Sequence, residues 1–402
     1  MKGKPVPDVA FSVELDGVPI GEGVTDADGI FFLPVDDFGD YTITISPDTL
    51  PENITLKDPT RTQGTATVEE NRTTGRAIFA VESRSGLAAA DSSKGFPIIQ
   101  RIFDGAKFGI FLAMGAIGLS IIFGTTGLTN FAHAEIIVFG MMSAYAFNVG
   151  LFVIFPFMST WGTPFGSGVT LVLAALLAIV MGGLLGLVLD KFLFAPMRRL
   201  GIGLISQMIV TIGLSIAMRY LIKFAIGDSP YVYRQYVGQK NIDLWLVSVP
   251  MKDLVSIVIC VAVLAAVGLM IQRTRMGKAM RAVADNRDLA ESSGIDVERV
   301  IRLVWISGAA LAALGGVMLG LSDQVYWLAG FRYLLPIFAG VTLGGLGTAY
   351  GALVGCLIVG IGIQVSTLVI APELKNGAAL LVMIVVLMVR PQGILGKAQR
   401  IG

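Results

Sequence analysis

The chain has 402 residues, 54% hydrophobic and 15% charged, with a mean hydropathy of +0.75 and a formal net charge of +1. A soluble domain needs more polar surface than this, and a nearly neutral chain has no bulk attraction for nucleic acid. Cys260 and Cys356 sit inside apolar runs and read as small buried hydrophobes, and the lone histidine, His133, excludes a histidine cluster, so no metal and no cofactor are expected.

Residues 6–82 read as a soluble all-β unit. Phe11–Leu15, Ile30–Val35 and Tyr41–Ile45 alternate or nearly alternate apolar and polar residues, and Asp16-Gly17, Asp28-Gly29 and Gly39-Asp40 mark turns between them. Short strands at this spacing predict a small β-sandwich. Gly23–Gly29, Phe31 and Gly39–Ile43 resemble the carboxypeptidase-regulatory-like sandwiches. Asp26, Asp28 and Asp36 read as turn formers, because no EF-hand pattern with a glutamate at its twelfth position follows. Domain 1 is therefore expected over 1–82, with a Ser/Ala/Gly-rich linker and membrane approach over 83–104. Residues 1–30 lack a sustained apolar core, so no secretory signal is visible there.

Residues 105–402 carry apolar runs near 107–126, 135–156, 168–190, 204–226, 254–271, 303–321, 350–370 and 377–392, each long enough to approach the ~30 Å hydrocarbon core. The expected fold is an all-α polytopic membrane protein of about eight transmembrane helices. A short glycine-rich piece, Pro336–Leu346, forms a broken, re-entrant segment, which must be covered by protein or line a wet cavity. The loops 191–203 (Lys191, Arg198, Arg199) and 272–302 (Arg273, Arg275, Lys278, Arg281, Arg287, Arg299, Arg302) carry ten cations. The alternate loops carry five: Arg234, Lys240, Lys252, Arg332 and Lys375. The richer set belongs in the cytoplasm, which puts the β unit outside and the C-terminus inside. Crossing the membrane then requires export machinery for the β unit.

Four motifs follow in order. Gln100–Gly105 leads into Gly127-Leu-Thr-Asn-Phe-Ala-His-Ala-Glu135. Gly277–Asp296, with Arg299–Ile301, forms the basic connection. Leu343-Gly-Gly-Leu-Gly-Thr-Ala-Tyr-Gly351 marks the broken segment, and Val389-Arg-Pro-Gln-Gly-Ile-Leu-Gly396 closes the chain. Together they resemble the shorter branched-chain amino acid ABC transporter permeases. Ala134 stands where that family usually has glycine, a departure bearing on close backbone approach there. The resemblance implies a permease subunit of an importer in the cytoplasmic (inner) membrane, embedded in the lipid bilayer. Its implied partners are two ATP-binding subunits, a related second permease subunit and an extracytoplasmic solute-binding protein. The implied cargo is branched-chain or similar small amino acids or amides.

Residues 278–292 read as a short amphipathic helix ended by Gly294 as C-cap, with Asp296 capping the next helix. A helix–glycine–helix knob suits docking into another protein. Arg281, Asp285, Arg287, Ala290, Gly294 and Asp296 are the candidate ATPase-coupling residues. Asn130, His133 and Glu135 have two readings, as a capping cluster at a helix start or as contacts on the substrate path. Thr342, Gly344, Gly345 and Gly347 are candidate path residues through their exposed backbone groups. Gly182-xxx-Gly186 reads as helix packing. Arg219 and Lys223 read as snorkelling cations, with an anion-attracting vestibule as the alternative. No Gly-x-x-x-x-Gly-Lys-Ser/Thr motif is present, so the chain holds no P-loop and energy must come from separate subunits. No nucleophile–base pairing suggests an enzyme. The rival reading is a secondary carrier or channel without ATPase partners.

Overall fold

A computed structural model of the chain describes residues 6–68, 81–83, 97–150 and 168–369 together with 377, 380–381, 383–384, 388 and 393–395, apart from 7, 16, 27–30, 32, 36, 38, 52–53, 57–61, 234, 237–240 and 245. Two compact units result, Met1–Gly95 and Phe96–Gly402.

In the first unit, β1 (Ala10–Leu15), β2 (Val18–Val24), β3 (Gly39–Ile45) and β5 (Gln63–Val68) form an antiparallel sheet in the order β2-β1-β3-β5. The strands β4 (Ile54–Leu56) and β6 (Val81–Ser83) pair separately. Val9, Ile45 and Leu56 are buried together, with Phe11 and Leu50 packed against them. One expected strand is corrected. Phe31 and Leu33–Val35 lie outside any strand, and Val18–Val24 lies beside β1 instead. Pro34 has no N–H to give a ladder. Leu15 pairs with Val18, with Gly17 between them at φ 81°, which closes a tight hairpin. Asp28 and Asp36 lie outside the described residues.

The second unit is helical. Helix α1 spans Pro97–Thr126 and α2 His133–Val149. Helix α3 (Leu171–Leu189) continues through a π turn at Asp190–Phe194 into α4 (Ala195–Arg199). Then come α5 (Leu204–Ile226), a hairpin of β7 (Asn241–Leu244) and β8 (Val247–Pro250), and α6 (Met251–Arg273). Two short helices, α7 (Arg275–Asp285) and α8 (Arg287–Ser292), precede α9 (Val297–Ser322), α10 (Ala329–Gly344) and α11 (Ala349–Ser366). Among the described residues six helices are long and apolar enough to cross a membrane: 98–126, 171–199, 204–226, 251–273, 297–322 and 349–366. They coincide with six of the eight apolar runs. The 135–156 run appears as the 17-residue α2, and its end lies outside the described residues. Most of 377–392 lies outside them too. The chain is a polytopic helical membrane protein with a small β domain.

Helices α1 and α9 form the centre of the bundle, whereas α5 and α6 leave most of their apolar surface exposed, as at Ile205, Phe224 and Val258. Apolar flanks of this kind belong against lipid or other apolar protein. The centre is held by backbone-to-backbone contact. A Cβ on Gly118 would collide with the Gly308 carbonyl, and one on Gly344 with that of Gly351. Gly182 and Gly186 of α3 lie against Ala309, Ala313 and the Trp305 carbonyl of α9. Lipid tails are as apolar as leucine, so helix association in a membrane depends on such close packing.

Gly355 and Gly362 of α11 test this directly. A Cβ at Gly355 would strike the Gly340 carbonyl, whereas one at Gly362 meets nothing within 4 Å. Gly355→Ala is expected to destabilise the purified protein by ~1–3 kcal/mol, through forced backbone shifts. Gly362→Ala is expected to be neutral or to stabilise by ~0.5–1 kcal/mol through helix propensity. Thermal unfolding of both variants in one detergent checks the contrast.

Candidate functional site

The polypeptide is interrupted twice within the bundle, and the candidate path residues sit at these two breaks. The first follows α1. Gly127, at φ 68°, ends the helix, and α2 starts only at His133. His133 Nε2 lies 2.8 Å from the Gly115 carbonyl, so the start of α2 is beside the middle of α1, well inside its apolar span. A carbonyl only accepts, so Nε2 carries the hydrogen and Nδ1 presents a lone pair. Other parts of the chain cover the break. The Phe131 N–H donates to Thr211 Oγ1 of α5, and the Leu128 N–H to Thr126 Oγ1. The capping reading of Asn130 is corrected in its geometry. The residue preceding α2 is Ala132, and Asn130 Oδ1 accepts from the Ala132 N–H, which makes a local turn ahead of the helix.

Glu135 is fully buried in the first turn of α2, where the helix dipole favours an anion. Arg219 of α5 reaches it with Nη2 at 2.6 Å and Nε at 2.9 Å, both on Oε1, and Ser215 Oγ lies 3.3 Å from the same oxygen. Arg219 also lies over the Phe331 ring. The snorkelling reading of Arg219 is thereby overturned: its guanidinium turns into the bundle onto a buried carboxylate. Lys223, one turn on, is partly exposed beside Asp228 and the Trp327 ring. The sequence did hold a signal for this pair. Gln207, Thr211, Ser215 and Arg219 recur every four residues, a polar stripe on one face of an apolar helix. Three buried polar atoms at this break have no partner among the described residues: Asn130 Nδ2, His133 Nδ1 and Glu135 Oε2.

The second break lies between α10 and α11. Gly345 and Gly347 adopt φ 112° and 82°, conformations that side chains resist. Gly347 packs its backbone against Gly124 of α1, and Ser120 Oγ donates to the Thr348 carbonyl. The end of α10 is stitched by the distant C-terminal motif. Ile394 N–H donates to the Leu343 carbonyl at 2.8 Å and Leu395 N–H to the Gly344 carbonyl at 3.0 Å. Gly344 is buried against Gly351, and the Thr342 hydroxyl donates back to Phe338 and Ala339 of its own helix. Both breaks therefore lie near the last turns of α1, and Phe131 of the first packs its ring 5.3 Å from that of Phe338, about two turns before the second.

The basic connection folds as a compact module. Thr274 Oγ1 caps α7 by accepting from the Gly277 N–H, and Asn286 Oδ1 caps α8 by accepting from that of Leu289. The single helix expected over 278–292 is thus two helices, because Asn286 leaves helical geometry (φ −158°, ψ 110°) to cap the second. Gly294, at φ 83°, ends α8: its N–H donates to the Glu291 carbonyl and that of Ile295 to Ala290, a Schellman closure. Asp296 Oδ1 accepts from the Arg299 N–H and caps α9. Ala290 is buried, Arg281 reaches the Gln272 carbonyl at 3.3 Å, and Arg287 pairs with Glu298 at 3.0 Å. Asp285 ends α7. Leu289, which no motif singled out, is 64% exposed beside buried Ala290.

Removing one partner of a buried ion pair strands the other charge. Arg219→Met is expected to destabilise the protein by ~3–5 kcal/mol. Adding Glu135→Gln should recover a large part of that loss. A double-mutant cycle in denaturant checks it, and additive losses would mean the two side chains do not interact.

The family described as the permease component of the branched-chain amino acid transport system matches residues 101–387. The chain is 32% identical over 314 residues to the high-affinity branched-chain amino acid transport system permease protein LivH of Escherichia coli K12, covering 75% of this chain and 96% of that protein. BraD of Pseudomonas aeruginosa, a permease protein of the same kind of system, is 27% identical over 309 residues, with 75% and 96% covered. A probable LivH of Methanocaldococcus jannaschii is 28% identical over 299 residues, with 71% and 88% covered. No solved structure matches the chain. With its motifs placed at two covered breaks and one capped module, and with the family matched over most of its length, this chain belongs to the branched-chain amino acid transport permeases.

Proposed function

We propose that the chain is a permease subunit of an ATP-driven importer for branched-chain or similar small amino acids. It works with two ATP-binding subunits, a related second permease and a solute-binding protein outside the cell. The observation that carries this reading is the capped module Thr274–Asp296. Its two helices are rigidly terminated, and its apolar residues Met280, Val283 and Ala290 are buried with those of the spans, while Leu289 is left exposed as a tip. A rigid knob continuous with a spanning helix suits the transfer of motion from a nucleotide-driven subunit. Arg281, Asp285, Arg287, Ala290, Gly294 and Asp296 shape or flank that knob. The cation-rich connections face the cytoplasm, with the β unit and the 227–250 connection outside.

The path runs past the two breaks. Asn130, His133 and Glu135 stand on one side, with Thr342, Gly344, Gly345 and Gly347 on the other. Two unpartnered acceptors, His133 Nδ1 and Glu135 Oε2, suit an ammonium group. The Asn130 amide and the Arg219 guanidinium are donors suited to a carboxylate. A zwitterionic amino acid presents both groups. In the proposed cycle the binding protein delivers the solute and closure of the ATPases on the knob swings the spans.

The chain, reconstituted in proteoliposomes with its sister permease, ATP-binding subunits and binding protein, is expected to take up leucine only with ATP. Gly294→Val is expected to abolish uptake and weaken co-purification of the ATP-binding subunits, because a β-branched residue resists φ 83°. ATP-independent uptake would favour a carrier or channel. Normal uptake by Gly294→Val would remove the module from the coupling role.

A further inference from the structure

A chain of ionic contacts leads from the 274–296 module into the π turn of the neighbouring span. Arg287, the first residue of α8, donates to Glu298 Oε1 at 3.0 Å. Arg198 grips the same Glu298 with two nitrogens, at 2.9 and 3.3 Å, and reaches Asp190 Oδ1 at 2.7 Å. Asp190 is fully buried and opens the π turn, where the Ala195 N–H donates to the Asp190 carbonyl one residue further back than in an α-helix. Single π turns within α-helices occur frequently at functional sites. Phe194, within the turn, is stacked on Trp305 of α9 at 4.4 Å.

The network is incompletely closed. Asp190 Oδ2 and Arg302 Nε make a loose ionic contact at 3.9 Å, beyond hydrogen-bond reach, and neither has a hydrogen-bond partner among the described residues. Buried polar atoms left in this state favour a second arrangement in which they meet. Asp190 therefore stands between two guanidiniums, one bound and one within a small displacement of binding. Glu298 sits in the first turn of α9, where it is itself favoured by the helix dipole, and it is shared by the module and the span.

We infer that Arg287, Glu298, Arg198 and Asp190 form a positioning relay by which movement of the α7–α8 module shifts the π turn at the foot of the 171–199 span. Displacing Arg287 draws on Glu298, loosens its hold on Arg198 and lets Asp190 close on Arg302. Elements with two discrete arrangements are what carry coupling between distant sites. This rests on the proposed importer function, and it adds residues that no motif contained: Asp190 and Arg198 lie far in sequence from the 277–296 stretch.

The test uses the whole reconstituted complex, with wild type first. Wild-type uptake without ATP dependence would overturn the importer reading and the relay with it. Given ATP-driven wild-type uptake, Glu298→Gln is expected to assemble and to keep ATP hydrolysis within about twofold. Leucine uptake should fall about tenfold, so more ATP is spent per solute moved. Glu298→Asp is expected to restore much of the coupling. A merely structural role predicts something else: hydrolysis, uptake and thermal stability falling in parallel, which would overturn the relay. Uptake and hydrolysis both unchanged in Glu298→Gln would overturn it equally.

Discussion

A backbone group inside a bilayer must find its hydrogen bond within the protein, and this constraint organises the transmembrane unit. The chain breaks its helices at 127–132 and 345–348, where freed N–H and C=O groups would face hydrocarbon. Each break is covered by a different part of the molecule. Thr211 serves the first, while Ser120 and the backbone of Ile394 and Leu395 serve the second. Motifs separated by hundreds of residues are thereby drawn around the end of α1. Glycine makes the approach feasible, since Gly124 and Gly347 meet backbone to backbone.

Charge is managed by the same logic. An ionised side chain within a span is tolerated when it is paired, and besides Lys107 with Asp253 the described residues hold two such centres. Glu135 with Arg219 ties α2 to α5 beside the first break. Asp190, Arg198 and Glu298 tie the end of the 171–199 helix to α9. Neither centre is fully satisfied, and unpartnered atoms remain on Glu135 and on Asp190. Buried polar atoms without partners cost ~1–3 kcal/mol each, so a fold keeps them where function uses them. Helix α5 carries one of these centres while leaving most of its apolar surface exposed, so its interior contacts depend heavily on that polar stripe.

Much of this was legible in the residues. Long apolar runs declare spans because the bilayer fixes their length, and Gly294 and Asp296 declare caps because capping chemistry is local. What lay beyond the sequence was tertiary. Arg219 looked like a snorkelling cation, because nothing local says that Glu135, 84 residues away, turns toward it. Its four-residue spacing from Ser215, Thr211 and Gln207 was the available sign. Asn286 split one expected helix into two, since an asparagine in a helical pattern caps as readily as it continues. In the β unit, Val18–Val24 was missed because its glycines and proline mask alternation, while the more apolar 30–35 stretch holds Pro34 and gives Phe31 to stacking on Phe11.

The proposed path takes solute past the two breaks, 127–132 and 345–348. Thr342, on the last turn of α10, probes it with a small change of side chain. In protein lacking Cys260 and Cys356, Thr342→Cys and Val258→Cys can be compared for reaction with a small water-soluble thiol reagent, Val258 being exposed on the apolar flank of α6. Faster modification is expected at position 342, slowed by leucine. Modification no faster than at 258, or indifferent to leucine, would contradict it.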